Sequence, residues 1–522
     1  MTRKKKNTDK LNIDKENTKV QKIKLLNIKE VLHLKKRFII PTLLIVIVTV
    51  ALFLVKEWLY TECGGLTFNE IIFHINVPLK GTNNDTIMSF IKGPLVQMIL
   101  ISIFITYLIL RVFKNSKKTI VAALLFMVVT FSYVAKTAQI IDYVKNQLSA
   151  SNLIEENYVD PREVAITAPE KKRNLIYLYL ESMETSYYSK EQGGNNDTCM
   201  IPELYELAKN NTSFSVSDTM QGGYAPYGAT WTTGAMAAHS GGLPLNFGVP
   251  FLDNNVNSYS QYEEFLPGMY NIGDFLHDQG YYQMFMCGSD AKFGGRTNLF
   301  KQHGDYEIYD VFTTIERGQR KFEDWVWWGF EDQNLFQYAK EELMRIGSED
   351  KPFNFTFLTA DTHFPKGHPC SQCDEKENDE YTYDDVMQCS SRQVKLFVDW
   401  CKDQPWYENT TIVIVGDHLT MDADMGKRMN ENGYKRGVYN CIINGAIDIP
   451  EEKTKNKPFT TFDLFPTTLA AMGYKIDGNR LALGTNLYSD EKTLLEKHSL
   501  DYINSELAKV SKFYNKNILY SK

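Results

Sequence analysis

The chain has 522 residues, 43% of them hydrophobic, and a formal net charge of −7. That length is enough for one large domain with additional elements. The charge is uneven: residues 1–37 hold 13 Lys/Arg against 4 Asp/Glu, or +9, which leaves −16 for the remainder. A basic head on an acidic body speaks for membrane topology and against nucleic-acid binding.

Three uncharged apolar stretches with basic flanks follow the head: Phe38–Val55, Gly93–Leu110 and Thr119–Ala135. Each has the length needed to cross a bilayer core of ~30 Å; the alternative for each is a buried soluble helix. The first is too long and too far from the N-terminus for a cleavable signal, and no small-residue cleavage site follows it. Loop 56–92 carries 3 Lys and 4 acids, whereas 111–118 carries four positive charges. The positive-inside rule then predicts residues 1–37 as a cytoplasmic tail, 38–137 as a membrane domain, and everything beyond about residue 137 outside. Residues 138–170 read as a juxtamembrane linker, 171–490 as the extracytoplasmic catalytic domain and 491–522 as a helical tail.

From residue 171 the pattern changes. Leu175–Leu180 is a continuous apolar run, as a strand buried on both faces of a parallel sheet requires. Similar runs recur at Tyr281–Met286, Phe353–Leu358, Thr411–Val415 and Val438–Ile443. Helical patterns such as Asn271–Gln279 and Ser391–Cys401 lie between them. Alternating strands and helices predict an α/β domain with a mostly parallel central sheet, whose ligands gather beyond the carboxyl ends of the strands.

Polar clusters occupy those ends. Glu181 follows the first run; a carboxylate there is costly to bury unless paired or bound to a cation, and an exposed strand-end Glu is the plainer alternative. Asp417-His418 follows Thr-Ile-Val-Ile-Val-Gly and offers a hard oxygen and a nitrogen to a divalent ion. Thr230 precedes the small-residue stretch Thr233–Ala238, which predicts a helix with Thr230 near its N-terminus, where negative charge is stabilised. A metal-bound threonine can become a nucleophile near neutral pH. An ordinary N-cap is the competing role, and Thr232 and Thr233 are rival hydroxyls. Asp290 and Arg296 bracket a loop with a glycine pair, where a guanidinium could grip a phosphate or form a surface ion pair. His363, in Asp361-Thr-His-Phe-Pro, could bind a phosphate or move a proton, or do neither.

Eight cysteines all fall in segments expected outside the cell. Cys370-x-x-Cys373 could be a zinc or redox motif, but no second CxxC or His pair accompanies it, so a disulfide is the favoured reading.

These pieces, in this order, resemble the lipoteichoic acid synthase and phosphoglycerol transferase family, membrane-anchored members of the alkaline phosphatase/sulfatase superfamily. The resemblance rests on Leu-Glu-Ser at 180–182, Gly-Ala-Thr-Trp-Thr at 228–232, Asp-Thr-His-Phe-Pro at 361–365, Gly-Asp-His-Leu at 416–419, the Asp463-Leu-Phe-Pro-Thr-Thr-Leu run and Gly484-Thr-Asn-Leu. Gly241-Gly-Leu-Pro-Leu and the loop beginning Leu66-Thr-Phe-Asn-Glu are similar to the branch that transfers phosphoglycerol to periplasmic glucans. The resemblance implies Glu181, Thr230, Asp417 and His418 as ligands of one divalent metal, Mn²⁺ first, with Mg²⁺ or Zn²⁺ as alternatives. It implies Thr230 as nucleophile, and Arg296 and His363 as residues holding the substrate's phosphoglycerol group, with Asp290 a looser match. Phosphatidylglycerol would be the donor, and a glycan or polyglycerolphosphate the acceptor. The alternatives are a phosphoethanolamine transferase, a phosphodiesterase or sulfuric-ester hydrolase on the same fold, or an inactive binding module. Family members often have Trp two residues before the arginine, where this chain has Gly294, and the synthases commonly have five spans. No cysteine begins the Cys-x-Pro-x-Arg motif of type I sulfatases, which speaks against sulfate-ester hydrolysis.

Overall fold

The computed structural model describes residues 36–62, 68, 71, 84–113, 116–246, 264–376, 378 and 380–521. The basic head up to residue 35, Cys63 and nearly all of loop 66–81 lie outside these residues. The chain divides into two compact units: Met1–Phe53 with Val96–Phe131, and Leu54–Leu95 with Ser132–Lys522.

Three long apolar helices come first: α1 (Lys36–Glu62), α2 (Val96–Val112) and α3 (Ser116–Thr137). The apolar stretches Phe38–Thr61, Ile87–Val112 and Lys117–Thr137 are each long and apolar enough to cross a membrane. Within α1, Thr42 and Thr49 donate their hydroxyls to the carbonyls of Phe38 and Ile45, both at 2.7 Å, so neither adds an unmet polar group.

The larger unit is an α/β body around a six-stranded sheet. Its strands are β1 (Asn174–Leu180), β2 (Tyr282–Cys287), β3 (Glu307–Tyr309), β4 (Phe353–Leu358), β5 (Thr410–Gly416) and β6 (Asn440–Ile443). The order across the sheet is β3-β2-β4-β1-β5-β6; all neighbours are parallel except β5 and β6. All seven residues of β1 are buried because both faces are covered. Alternate side chains feed opposite layers, as the two-residue period of a strand dictates. Leu175, Tyr177 and Tyr179 enter one apolar cluster, and Ile176, Leu178 and Leu180 enter the other.

The first layer contains helix α4 (Thr232–Gly241), contributing Met236, Ala237 and Ala238. The second contains α5 (Asp332–Ile346) and α6 (Tyr383–Lys402), contributing Leu335, Phe336, Met387, Val394 and Phe397. The packing extends beyond 171–490 on both sides. Leu153 and Ile154 from the expected linker, and Ile503, Leu507, Tyr514, Ile518 and Leu519 from the expected tail, join the first cluster.

Register places the chemistry. Leu180 on β1 pairs with Gly416 on β5, Tyr179 pairs with Leu358 on β4, and Leu358 pairs with Cys287 on β2. The residues that follow these strands, Glu181, Asp417 and Thr359, therefore emerge side by side at one carboxyl edge.

Candidate active site

Glu181 leaves β1 with its N–H bound to the hydroxyl of Thr359 at 3.0 Å, while Thr362 donates to its carbonyl at 2.6 Å. Ser182 then turns into the left-handed region (φ 55°), which costs a non-glycine residue of order 1 kcal/mol or more. The turn lets its N–H reach Asp417 Oδ1 at 2.8 Å and its hydroxyl reach Glu181 Oε1 at 2.8 Å. On β5, a Cβ at Gly416 would sit 1.7 Å from the carbonyl oxygen of Met183, so only glycine lets the two strand ends approach this closely. His418 N–H also donates to Asp417 Oδ1, at 2.7 Å.

Glu181, Asp417 and His418 are all buried and close enough together to share a metal ion. His418 Nε2 lies 3.4 Å from Glu181 Oε1 and 3.3 Å from Asp417 Oδ2. Helix α4 adds a hydroxyl: Thr232 Oγ1 stands 3.4 Å from Glu181 Oε2 and 3.3 Å from His418 Nε2. Thr230, the expected nucleophile, is half-buried in the bend directly before this helix, two residues from Thr232 at its first position. Thr233 donates to the carbonyl of Gly294 at 2.8 Å.

The donor set fits a cation. His418 Nδ1–H donates to the carbonyl of Leu419 at 2.8 Å, so in the neutral ring Nε2 carries the lone pair and turns it toward two carboxylates. Asp417 Oδ2 is buried and accepts no hydrogen bond. Two buried acids and a lone pair facing one another are unfavourable until a positive charge lies between them. Oxygen and nitrogen ligands at ~2.1 Å in a tetrahedral shell would be about 3.4 Å apart, the spacing found here. Burial, reinforced by the charge of Glu181, pushes Asp417 up to about 7. Burial would also raise Glu181, but His363, His418, the Ser182 hydroxyl and Arg296 outweigh it and hold this carboxyl below its ordinary value.

Beside the cluster, Arg296 is buried. Its Nε binds the carbonyl of Phe293 at 3.0 Å, and Nη2 binds Ser289 Oγ at 3.0 Å and the carbonyl of Asp290 at 2.8 Å. The Asp290 carboxylate accepts from the Lys292 N–H at 2.9 Å, which shapes the loop that carries the arginine. Gly294 adopts φ 68°, and a Cβ there would lie 2.7 Å from Thr233 Oγ1, so the loop docks directly on the start of α4. Half-buried His363 donates Nδ1–H to the carbonyl of Phe364 at 2.7 Å, leaving Nε2 as its proton acceptor. Burial of the ring lowers its basicity more than the Glu181 charge restores it.

Trp328 was not among the sequence candidates. Its ring packs against His363, with centroids 4.7 Å apart, and against Phe293 at 5.1 Å. The indole N–H is buried without a hydrogen-bond partner. Its signal was the Trp325-Val-Trp327-Trp328 run, three indoles in an otherwise polar connection.

The sulfatase family model matches residues 173–474, more than half of the chain. The chain belongs to the sulfatase family. It is 30% identical over 362 residues to phosphoglycerol transferase I of Salmonella choleraesuis, a match covering 68% of this chain and 44% of that relative. The chain thus spans less than half the length of such relatives. Among solved structures it is similar to a lipoteichoic acid synthase from Listeria monocytogenes (17% identity, TM-score 0.47, covering 65% of this chain and 82% of that one). It is also similar to an integral membrane lipooligosaccharide phosphoethanolamine transferase from Neisseria meningitidis (11% identity, TM-score 0.48, 86% of each chain).

Proposed function

We propose that the chain is a membrane-anchored transferase that moves a phosphoglycerol group from phosphatidylglycerol to a hydroxyl acceptor, with Thr230 as the nucleophile and Thr232 as the rival hydroxyl. The observation that carries this reading is the buried Glu181–Asp417–His418 cluster at the start of α4, where both threonines stand. Glu181, Asp417, His418 and a threonine hydroxyl would hold one divalent cation, for which Mn²⁺ is the first candidate. When bound, such an ion supplies Lewis acidity that lowers the pKa of a hydroxyl and offsets charge on phosphoryl oxygens.

Thr230 Oγ1 attacks phosphorus, forming a P–O bond as the bond to the diacylglycerol oxygen breaks. Diacylglycerol leaves with a proton, and phosphoglyceryl-threonine remains. An acceptor hydroxyl then attacks phosphorus, and the Thr230 oxygen leaves and regains its proton. The start of α4 favours negative charge at this oxygen. Arg296, fixed through Nε and Nη2, presents its charge to the phosphoryl oxygens, where most catalysis of this class resides. His363 Nε2 is set to receive or return the proton of an attacking or departing oxygen.

The donor assignment is supported by the similarity to phosphoglycerol transferase I and by three apolar helices suited to anchoring beside a lipid substrate. The charge distribution supports a cytoplasmic head and an extracytoplasmic body. Full-length protein in mixed micelles should release diacylglycerol from phosphatidylglycerol and not from phosphatidylethanolamine. The reverse preference would overturn the phosphoglycerol assignment and favour the phosphoethanolamine alternative. Trp328 forms a wall beside His363, so Trp328→Ala should raise KM for the donor about tenfold, ~1.4 kcal/mol, with a smaller change in kcat. A loss confined to kcat would remove Trp328 from the head-group pocket.

A further inference from the structure

A second cluster of metal-ligating side chains stands apart from the residues assigned above. Cys370 and Cys373 lie in a turn closed by the Cys373 N–H on the Cys370 carbonyl at 3.0 Å. Cys389 projects from α6 to meet them, and the three sulfurs lie within 4.8 Å of one another. All three residues are buried, with exposures of 7%, 7% and 1%, and Tyr381 packs against them. None of the seven described cysteines is in a disulfide. The favoured expectation of disulfide bonding for the CxxC cysteines, with no partner assigned, meets an arrangement in which a third thiol from a helix joins the pair.

We propose that Cys370, Cys373 and Cys389 bind a zinc ion as three thiolates, forming a structural centre distinct from the Glu181–Asp417–His418 cluster. The Cys370 and Cys389 sulfurs are 3.8 Å apart. A disulfide requires about 2.05 Å. Two thiolates at ~2.3 Å from zinc, separated by a tetrahedral angle, lie about 3.8 Å apart. A single disulfide would use two of the three sulfurs and leave the third buried, whereas one metal ion uses all of them. Gln393, one helical turn beyond Cys389, points Nε2 at Cys370 Sγ (3.5 Å) and Cys389 Sγ (3.3 Å). An amide donor aimed at two sulfurs is the outer-shell contact that stabilises negatively charged ligands. Binding replaces three thiol protons: Zn²⁺ and three thiols give a tris-thiolate zinc with one water in the fourth position and release three H⁺.

The centre would staple the turn after His363 to α6. The intervening chain is short and already tied down: Gly367 N–H reaches the His363 carbonyl at 3.1 Å, and His368 N–H reaches the Asp361 carbonyl at 2.7 Å. Anchoring residue 370 therefore fixes the far end of the segment that presents His363.

The test uses full-length protein purified in detergent with Zn²⁺ present and without chelator. One equivalent of zinc should be released by p-hydroxymercuribenzoate, and Cys389→Ser should lose that equivalent while Glu181→Gln retains it. Because the cysteine variant can fail to fold, the unmodified protein is also loaded with Co²⁺. An intense thiolate-to-cobalt charge-transfer band, abolished by the mercurial, is expected. Recovery of any two of the three cysteines as a disulfide after alkylation without reductant would overturn the proposal. So would a cobalt spectrum lacking the thiolate band, or mercurial-releasable zinc unchanged in a folded Cys389→Ser protein.

Discussion

Thr230→Ala is expected to abolish turnover, by on the order of 10⁴-fold or more, as removal of a nucleophile does elsewhere. Thr232→Ala should stay within about tenfold of the native rate. Both threonines stand at the start of α4: Thr232 is its first residue, with its hydroxyl against Glu181 and His418, whereas Thr233 binds Gly294. The decisive measurement is fragment-ion mass spectrometry of the protein after incubation with phosphatidylglycerol and no acceptor. The phosphoglycerol mass should sit on Thr230, persist in Thr232→Ala and in Thr230→Ser, and vanish in Thr230→Ala. Localisation of the adduct to Thr232 would reject Thr230 and make its neighbour the nucleophile.

That choice among neighbouring threonines marks where the sequence stops being legible. The five longer strands could be read because each is a predominantly apolar run, and such runs arise when both sheet faces are covered. The three-residue edge strand Glu307–Tyr309 has no run to betray it. The reversed direction of Asn440–Ile443 leaves no mark in composition, since parallel and antiparallel strands bury the same residue types. Glu181, Asp417 and His418 were readable as polar residues directly after buried strands, and pairing register then brings them together. Thr230 and Thr232 have no local signal to separate them, because which hydroxyl faces the cluster depends on where the first turn of α4 begins. The Trp325-Val-Trp327-Trp328 run marks Trp328 as unusual without naming its partner; tertiary packing brings it to His363 and brings Cys389 to the CxxC pair.

Neutralising Asp417 separates a metal ligand from a structural carboxylate. In Asp417→Asn the amide oxygen can keep the bonds from the Ser182 and His418 N–H groups, now at 2.8 and 2.7 Å. The NH₂ then takes the place of Oδ2 and donates toward the His418 Nε2 lone pair, closing the site without a cation. The variant also removes one of two buried acids whose mutual repulsion the metal-free native protein must bear. The metal-free variant should therefore melt at or above the temperature of the metal-free native protein. Added Mn²⁺ at a hundredfold excess over its Kd should stabilise the native protein by about 2.7 kcal/mol, leave the variant unmoved, and support turnover in the native protein alone, with a deficit of roughly 10³-fold or more in the variant. A purely structural carboxylate predicts the opposite pattern: an early melt for the variant in the absence of metal and a normal response to Mn²⁺ in whatever remains folded. Thermal unfolding of both proteins, each with chelator and with Mn²⁺, distinguishes the two because the sign of the shift differs as well as its size.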